Sequence, residues 1–324
     1  MVCIVGNVDG GYGYFINSTY EKFRQRMGKL EEEVELIGVK IKRFRDGEIK
    51  VKIEKSVREK SCFFIPDCSL TPSEWFLQLA LINHALKNSS AAKIIDVIPY
   101  HYFARQDRKD ESRVAINAKV VADVVSLYAD RVVTCDLHSP QIQGFYNIPV
   151  DNLYSFPYAI DQIVKYEEIE KEIENLVVMS PDTGGAKRAE AFLKRLAKKF
   201  NKEEWMDLVI GYKTRPREGE IEKYRLIGNV EGKNVLIVDD MVDSGGTLVE
   251  AEKALRAAGA KKVFAYATHG LFTEGYAKFK LDRIFVSNTR PQDSKKAEVI
   301  DLTDPFAEAM FRIYKKQSLS NLFE

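Results

Sequence analysis

The chain of 324 residues exceeds one ordinary domain, so its length favours two domains. Hydrophobic residues make up 45% and charged residues 30% of the sequence, and 49 basic side chains balance 48 acidic ones. Because the charges balance, the net charge gives no reason to expect a nucleic acid or a membrane as partner. The four cysteines form no CxxC pair and no run of about 18 apolar residues occurs, so we expect a cytoplasmic protein without a spanning helix.

The amino-terminal part alternates predicted strands and helices. Short apolar runs predict strands at 2–5 and 34–39, and a helix is expected at 18–30. Ile49, Val51 and Ile53 alternate with charged residues, as an exposed edge strand would. The turn FRDGE before this strand, Phe44 to Glu48, is either a plain hairpin corner or part of a site.

The following apolar runs predict strands that end in polar residues. The expected elements are strands at 61–66, 93–99 and 131–135 and helices at 75–87 and 117–128. The run YHYFARQDRK, from Tyr100 to Lys109, mixes aromatics with cations, which suits a stacked base with phosphates close by. A solvated basic turn is the alternative. For His138, which lies near Asp136, two interpretations stay open: a role at a metal or phosphate, and a structural role.

Strand and helix alternation restarts after residues 149–157, which places a domain boundary near Val150. A strand at 176–179 runs into the polar loop SPDTGG, and a helix is expected at 186–200. A strand at 208–212 then leads into KTRPREGE, which is too polar to pack. This stretch is either a lid that carries Lys213 and Arg215 or a solvated hairpin tip.

The segment VLIVDDMVDSGGTL, from Val235 to Leu248, organises the rest of the chain. Its apolar run predicts a buried parallel strand at 235–238, followed by Asp239 and Asp240. Glycines in the next loop let backbone N–H groups converge on an anion, and the helix expected at 248–258 adds its positive end. Acids beside a phosphate suit sugar hydroxyls, so a pentose phosphate is expected. An ordinary tight turn is the alternative.

Five motifs, in this order, make the chain resemble the ribose-phosphate pyrophosphokinases, also called phosphoribosyl-pyrophosphate synthetases. They are RFRDGE, PYHYFARQDRK, TCDLHSPQIQGF, SPDTGG and VLIVDDMVDSGGT. The resemblance spans roughly residues 40–324, whereas GNVDGGYGYF is not the usual family start. It implies an α/β fold of two similar phosphoribosyltransferase-type domains, each a mainly parallel sheet flanked by helices.

The resemblance also implies the reaction and the site residues. The β,γ-diphosphoryl group of ATP would pass to the 1-hydroxyl of ribose 5-phosphate, with Mg²⁺ as cofactor, and AMP would leave. The residues that would bind ATP are Phe44, Asp46, Glu48, Arg105, Gln106, Asp107 and His138. The residues that would bind ribose 5-phosphate are Arg215, Asp239, Asp240, Asp243, Ser244, Gly245, Gly246 and Thr247. His138 and Asp182 would bind the metal, and Lys213 and Arg215 would be catalytic.

The expected domains are residues 1–149, with the ATP-site and interface elements, and 150–324, with the ribose 5-phosphate loop and the lid. The last helix would be able to pack back on the first domain. The resemblance implies a homo-oligomer built from dimers, with a hexamer as one form, in which Phe44, Asp46 and Glu48 reach a neighbouring subunit's ATP site. Neither nucleic acid nor membrane is expected as a partner.

Two rival functions remain. A phosphoribosyltransferase would consume the diphosphate at C1 of the sugar rather than make it, but one such domain suffices for that class. A catalytically silent relative would assemble with active subunits as a regulator. The presence of Lys213, Arg215 and His138 argues against both rivals.

Overall fold

The computed structural model describes residues 1–171, 173–201, 207–214 and 223–322. These residues form two compact units, one of residues 1–154, 289–291 and 301–322 and the other of the described residues within 155–288 and 292–300. The expected domain boundary between residues 149 and 150 stays a prediction. No helix among the described residues is long and apolar enough to cross a membrane.

The first unit contains a seven-stranded sheet in the order β3-β2-β1-β4-β5-β6-β7. Its strands are β1 (Val2–Gly6), β2 (Val34–Arg43), β3 (Ile49–Ile53), β4 (Ser61–Ile65), β5 (Lys93–Ile98), β6 (Arg131–Cys135) and β7 (Val150–Leu153). All neighbouring strands are parallel except β2 and β3, which form an antiparallel hairpin at the edge. Every residue of β1 is buried, as expected for a parallel strand covered on both faces.

The second unit repeats this arrangement in the order β10-β9-β8-β11-β12-β13-β14. Its strands are β8 (Leu176–Ser180), β9 (Leu208–Thr214), β10 (Lys223–Ile227), β11 (Asn234–Val242), β12 (Lys262–Gly270), β13 (Arg283–Ser287) and β14 (Glu298–Ile300). The edge strands β9 and β10 are again antiparallel and the other pairs parallel. The predicted fold class, two similar and mainly parallel sheets flanked by helices, is confirmed.

Helices lie between many of the strands. The helices are α1 (Gly13–Met27), α2 (Pro72–Asn88), α3 (Asn117–Ser126), α4 (Phe156–Ile163), α5 (Glu167–Glu170), α6 (Ala186–Phe200), α7 (Gly246–Ala257) and α8 (Thr303–Tyr314). Short 3-10 helices cover Gly28–Glu33, Pro140–Phe145, Ile173–Asn175 and Ser320–Leu322. Thr71 caps the start of α2, because its hydroxyl accepts a hydrogen bond from the Glu74 backbone N–H.

The carboxy-terminal helix α8 belongs to the first unit, where it packs on α1. Two ion pairs join the helices: Arg26 Nη2 lies 2.8 Å from Asp304 Oδ1, and Arg26 Nε lies 2.7 Å from Glu308 Oε2. Helix α1 begins at Gly13 rather than at the expected residue 18. The additional turn buries Phe15 and Ile16, and Phe15 meets Phe306 edge to face at 5.7 Å. Packing against α8 therefore extends this helix toward its glycine-rich start.

Strand β11 extends to Val242, beyond the expected end at residue 238. Asp239 pairs with Ala267 and Met241 with His269, because β12 is long enough to offer backbone partners to the last residues of β11. Helix α7 also starts two residues before the expected residue 248, at Gly246. Asp239 and Asp240 therefore lie within β11, near its end. Only Asp243 to Gly245 separate this strand from α7.

A buried amide and carboxyl pair lies in the first unit between α2 and β5. Asn83 Nδ2 donates a hydrogen bond of 2.6 Å to Asp96 Oδ2, and Asp96 has no exposed surface. The Oδ1 atoms of both residues have no hydrogen-bond partner within the part of the chain that the structure describes. Burial raises the pKa of Asp96 from 3.8 to about 7, and the hydrogen bond from Asn83 opposes this rise. A proton on Asp96 would provide a donor for the unpaired Asn83 oxygen.

We predict that Asp96 makes the stability of the protein fall as pH rises from about 4 to about 7. In this range the folded chain keeps the Asp96 proton and the unfolded chain releases it, so a higher pH favours unfolding. The full cost above pH 7 is on the order of 4 kcal/mol. Urea unfolding at pH 5 and pH 8 should show a smaller pH dependence for Asp96→Asn than for the wild type. The exposed Asp110→Asn variant is the control, and an equal pH dependence in all three proteins would contradict the prediction.

Candidate active site

Two loops meet at the carboxyl edge of the second sheet, because β8 and β11 are parallel neighbours. Strand β8 ends at Ser180 and leads through Pro181 to Gly185 into α6, and β11 leads into α7. The chain leaves β8 toward β9 on one side and returns to β11 on the other. Open α/β sheets bind ligands at such a change of direction.

An acid pair and one cation lie at this edge. Arg188 Nη1 is 3.2 Å from Asp239 Oδ1 and 3.2 Å from Asp240 Oδ1. The Asp240 side chain is 4% exposed and that of Asp239 is 23% exposed. Burial, then the neighbouring Asp240 carboxylate, raises the pKa of Asp239 well above its usual value, and Arg188 opposes the rise. Asp240 is thus the buried counter-ion of Arg188, while Asp239 offers accepting oxygens to a ligand.

Sequence reasoning missed Arg188. It lies in the first turn of α6, which contains no acid. A cation there is unfavourable because the amino-terminal end of a helix dipole is positive. A basic first turn is therefore a signal that a counter-ion lies close by, and the DD pair is the counter-ion in this chain.

The phosphate loop, which we define as Asp243, Ser244, Gly245, Gly246 and Thr247, directly precedes and starts α7. Gly245 has φ 81°, in the left-handed region that favours glycine, and its carbonyl accepts from the Val249 N–H at 3.0 Å. A β-carbon on Gly246 would meet only Ser244 Oγ, at 3.9 Å, whereas one on Gly245 would be blocked. Without a ligand, the loop's strict need for glycine therefore lies at Gly245.

Asp182 lies in the loop between β8 and α6. Its Oδ1 accepts a hydrogen bond of 2.8 Å from the Gly185 N–H, and its carbonyl accepts one of 2.6 Å from Ser180 Oγ. The Asp182 side chain is exposed although the loop around it is internally bonded. The loop thus presents this carboxylate to solvent in a fixed position.

Tyr224 connects this loop to the β9–β10 hairpin. Its hydroxyl donates a hydrogen bond of 2.6 Å to the Pro181 carbonyl. The ring passes over Gly211, where a β-carbon would lie 2.0 Å from the Tyr224 oxygen. Burial raises the pKa of Tyr224, and the carboxylates of Asp182 and Asp239 add to the rise. The hydroxyl is therefore close to two of the predicted site residues, and sequence reasoning gave it no role.

Lys213 pairs with Tyr224 across the same hairpin. Its Nζ lies 2.8 Å from Glu250 Oε2 on α7, the helix that begins in the phosphate loop, and its side chain is 35% exposed. The structure thus brings the predicted catalytic lysine to the helix behind the phosphate loop. Arg215, the second predicted catalytic residue, and the rest of the expected lid to residue 220 lie outside the described residues.

The first unit presents the predicted adenine residues on an exposed edge. Phe44 to Glu48 form the turn between β2 and β3, closed by a 2.8 Å hydrogen bond from the Phe44 N–H to the Glu48 carbonyl. The Phe44 side chain is 43% exposed, and Lys42 Nζ lies 5.5 Å from its ring centroid. Asp46 Oδ1 accepts from the Glu48 N–H at 3.1 Å. Phe44, Asp46 and Glu48 are therefore all exposed at this edge.

The loop before α3 carries Arg105, Gln106 and Asp107. Gln106 is tied to α3, because its carbonyl accepts from the Ala118 N–H at 3.2 Å and its side chain bonds to Asn117. Phe103 has φ 66°, which is unusual for a residue with a side chain. Arg105 and Gln106 are exposed and Asp107 is half-buried. Unusual backbone geometry often accompanies functional loops, and here it precedes the predicted nucleotide residues.

The end of β6 presents His138 to solvent. Asp136, which follows the strand, has φ 41° and is 6% exposed, and the Leu137 N–H donates to Asn152 Oδ1 at 3.1 Å. The turn buries Leu137 and leaves His138 exposed. His101, by contrast, is buried, and its Nε2 lies 2.6 Å from the Tyr146 hydroxyl oxygen. The structure therefore makes His101 a core residue and places His138 at the surface.

The donor set in the second unit suits Mg²⁺. This cation prefers oxygen ligands, and in phosphate-transferring sites it is held by one or two carboxylates together with substrate phosphates and waters. Asp182 and Asp239 are such carboxylates, whereas the His138 imidazole is a poorer match. Among the described residues no three His, Cys, Asp or Glu side chains form a complete metal site. A magnesium ion here would thus depend on substrate oxygens.

Comparisons with known proteins agree with these motifs. The model of the N-terminal domain of ribose phosphate pyrophosphokinase matches residues 14–127, and the phosphoribosyl synthetase-associated domain matches 213–324. The ribose-phosphate pyrophosphokinase of Haemophilus influenzae is 41% identical over 87% of this chain and 90% of its own length. That of Wolinella succinogenes is 39% identical over 97% and 99%. The crystal structure of phosphoribosylpyrophosphate synthetase from Mycobacterium smegmatis has a TM-score of 0.83 and 27% identity over 97% of this chain and 99% of that one.

Proposed function

The chain belongs to the ribose-phosphate pyrophosphokinase family, and we propose that it transfers the β,γ-diphosphoryl group of ATP to the 1-hydroxyl of ribose 5-phosphate. It is a transferase that makes phosphoribosyl pyrophosphate, a precursor in nucleotide biosynthesis, and AMP leaves. One observation in the structure supports this most directly. The Asp239–Asp240 pair runs within a few residues into a phosphate loop at the start of α7, which suits a sugar diol joined to a phosphate.

The phosphate loop would hold the 5-phosphate through its backbone N–H groups and the positive end of α7. Asp239 would accept hydrogen bonds from the ribose hydroxyls, and Asp240 would keep Arg188 in place. These contacts orient the sugar so that its 1-hydroxyl faces the β-phosphorus of ATP. The hydroxyl oxygen forms a bond to that phosphorus, loses its proton, and the bond from the β-phosphorus to the AMP oxygen breaks.

Phosphoryl transfer depends on positioning and on the neutralisation of negative charge. Lys213 and Arg215 would supply cations to the transferred group. Bound Mg²⁺, with Asp182 and His138 as its predicted protein ligands, would neutralise phosphate oxygens. Arg105, Gln106 and Asp107 would bind ATP, whose adenine would stack on Phe44 and donate hydrogen bonds to Asp46 and Glu48.

The exposed position of Phe44 supports an ATP site shared between subunits of a homo-oligomer. The turn lies at the edge of its sheet, where Lys50 and Lys52 are exposed and the apolar residues that alternate with them, Ile49, Val51 and Ile53, are only half-buried. A cytoplasmic location is part of the same proposal, supported by four cysteines that are free and buried.

Phosphorus NMR of the products tests the reaction. With ATP, Mg²⁺ and ribose 5-phosphate, we expect AMP and phosphoribosyl pyrophosphate, because the nucleophile attacks the β-phosphorus. A reaction without ribose 5-phosphate is the control and should leave ATP intact. ADP and a ribose bisphosphate as products would show attack at the γ-phosphorus and would refute the proposal.

Replacing Lys213 by Ala should lower kcat by about a hundredfold or more and change the KM values much less, since a positioned cation acts mainly where charge develops. Arg215→Ala should behave in the same way. Steady-state kinetics measures both. Lys233→Ala, which removes another ion-paired lysine of the same unit, is the matched control and should keep kcat near the wild-type value. Near-normal kcat in both Lys213→Ala and Arg215→Ala would refute the catalytic assignment.

Subunit mixing tests the shared site. If each site combines Phe44 of one subunit with Lys213 of another, mixed oligomers of Phe44→Ala and Lys213→Ala contain some sites without any mutated residue. Activity after co-refolding should therefore rise well above the mean of the two parents. Lys213→Ala mixed with Arg215→Ala is the matched control, because both residues belong to the same segment and every site keeps one mutation. Mass spectrometry confirms mixing, and unchanged activity in confirmed mixed oligomers means that Phe44 does not act in trans.

A further inference from the structure

The segment from Leu271 to Asp282, which joins β12 to β13, folds against the phosphate loop. Its first residues are hydrogen-bonded to the end of β11, with the Leu271 and Phe272 N–H groups 2.8 and 3.1 Å from the Val242 carbonyl oxygen. Thr273 makes the next contact: its hydroxyl donates to Asp243 Oδ1 at 2.8 Å, and its N–H to the Asp243 carbonyl at 3.2 Å. Thr273 therefore fixes both the side chain and the carbonyl of Asp243, the first residue of the phosphate loop.

Phe279 fills the space beside Gly245. A β-carbon on Gly245 would lie 2.3 Å from Phe279 Cζ and 2.6 Å from Cε1, so the edge of the ring stands where a side chain would begin. Gly245 also has the left-handed φ of 81° that turns the chain into α7. Position 245 therefore requires glycine for two reasons: the Phe279 ring leaves no room for a side chain, and the left-handed φ favours glycine.

Neighbouring groups hold the Phe279 ring in place. Phe272 and Tyr276 stack at 4.0 Å, and Phe272 meets Phe279 edge to face at 5.9 Å. The Lys280 N–H donates to Glu252 Oε2 on α7 at 3.1 Å, which ties the end of the segment to the helix behind the loop. Tyr276, Phe279 and Leu281 also line a cavity of about 280 Å³. Phe279 is thus in contact with its aromatic neighbours on one side and borders the cavity on another. Because the cavity side gives it no packing, the aromatic neighbours keep its ring against Gly245.

We propose that Phe279, assisted by Thr273, is a positioning residue that fixes the phosphate loop in the conformation that binds the 5-phosphate. The proposal rests on the proposed function, in which this loop holds that group. A loop of small residues loses conformational entropy when it closes on a ligand. A ring that restricts Gly245 beforehand reduces this loss and so strengthens binding. The contact therefore acts on ribose 5-phosphate affinity and not on the chemical step.

Calorimetric titration of ribose 5-phosphate into the full-length protein without nucleotide tests the proposal. Phe279→Ala should weaken the affinity about tenfold or more, and Phe279→Leu, which keeps bulk beside Gly245, should restore much of it. The matched control is Leu281→Ala, which truncates an apolar side chain packed on the same core and lining the same cavity. It should lower the melting temperature to a similar degree but leave the affinity within about twofold of wild type. In kinetics, Phe279→Ala should raise KM for ribose 5-phosphate while kcat and KM for ATP stay near wild type.

Thr273→Val gives a second, milder variant that removes the hydroxyl's hydrogen bond to Asp243 Oδ1 and keeps the backbone one. It should weaken ribose 5-phosphate binding several-fold without lowering the melting temperature by more than a few degrees. Unchanged affinity in Phe279→Ala and Thr273→Val, or an equal loss in Leu281→Ala, would overturn the proposal. If the wild-type protein itself does not bind ribose 5-phosphate, the proposed function is what fails.

Discussion

The strand order β9-β8-β11 is the constraint on which the second unit's site depends. Because β8 and β11 are adjacent and parallel, the loops that follow them open at the same edge of the sheet. One loop carries Asp182 and the other the phosphate loop, and Arg188 at the start of α6 reaches across to Asp239 and Asp240. The hairpin of β9 and β10 lies beside β8, so Tyr224 reaches the Asp182 loop and Lys213 reaches α7. The loops and side chains of this site lie together because the chain continues from β8 to β9 on one side of β8 and returns to β11 on its other side.

The first sheet has the same strand order, but its corresponding edge is filled by the chain's own side chains. Asp67, which follows β4, accepts a hydrogen bond of 2.9 Å from the Ser69 N–H, and Asn7, which follows β1, donates to Asp67 at 3.3 Å. A β-carbon on Gly10 would lie 2.3 Å from Asn7 Nδ2, and one on Gly11 would lie 2.5 Å from Ser69 Oγ. Glycine in these turns accommodates the neighbouring side chains of Asn7 and Ser69. The same strand order thus leads into a glycine-containing loop before α7 in one unit and into an internally bonded turn in the other.

The sequence predicted those elements whose signal is local. Apolar runs predicted the buried strands β4, β5 and β6, and helix α6 was predicted from residue 186 to 200 as observed. It did not predict the end of β11, because the last residues pair only where β12 extends beside them. Nor did it predict Tyr224, whose position depends on the missing side chain of Gly211 across the hairpin. Glycine in a strand interior signals a close approach of another group, but it does not identify that group.

The charges at the site are paired before any substrate binds. Arg188 is balanced by Asp239 and Asp240, and Lys213 by Glu250. In the proposed function, a substrate phosphate that approaches Lys213 would compete with the Glu250 carboxylate for it. The pair is partly exposed, with side chains 35% and 47% accessible, and such pairs are weak. Lys213 is therefore held only weakly by Glu250, whereas Arg188, whose partner Asp240 is buried, is held firmly beside the two acids.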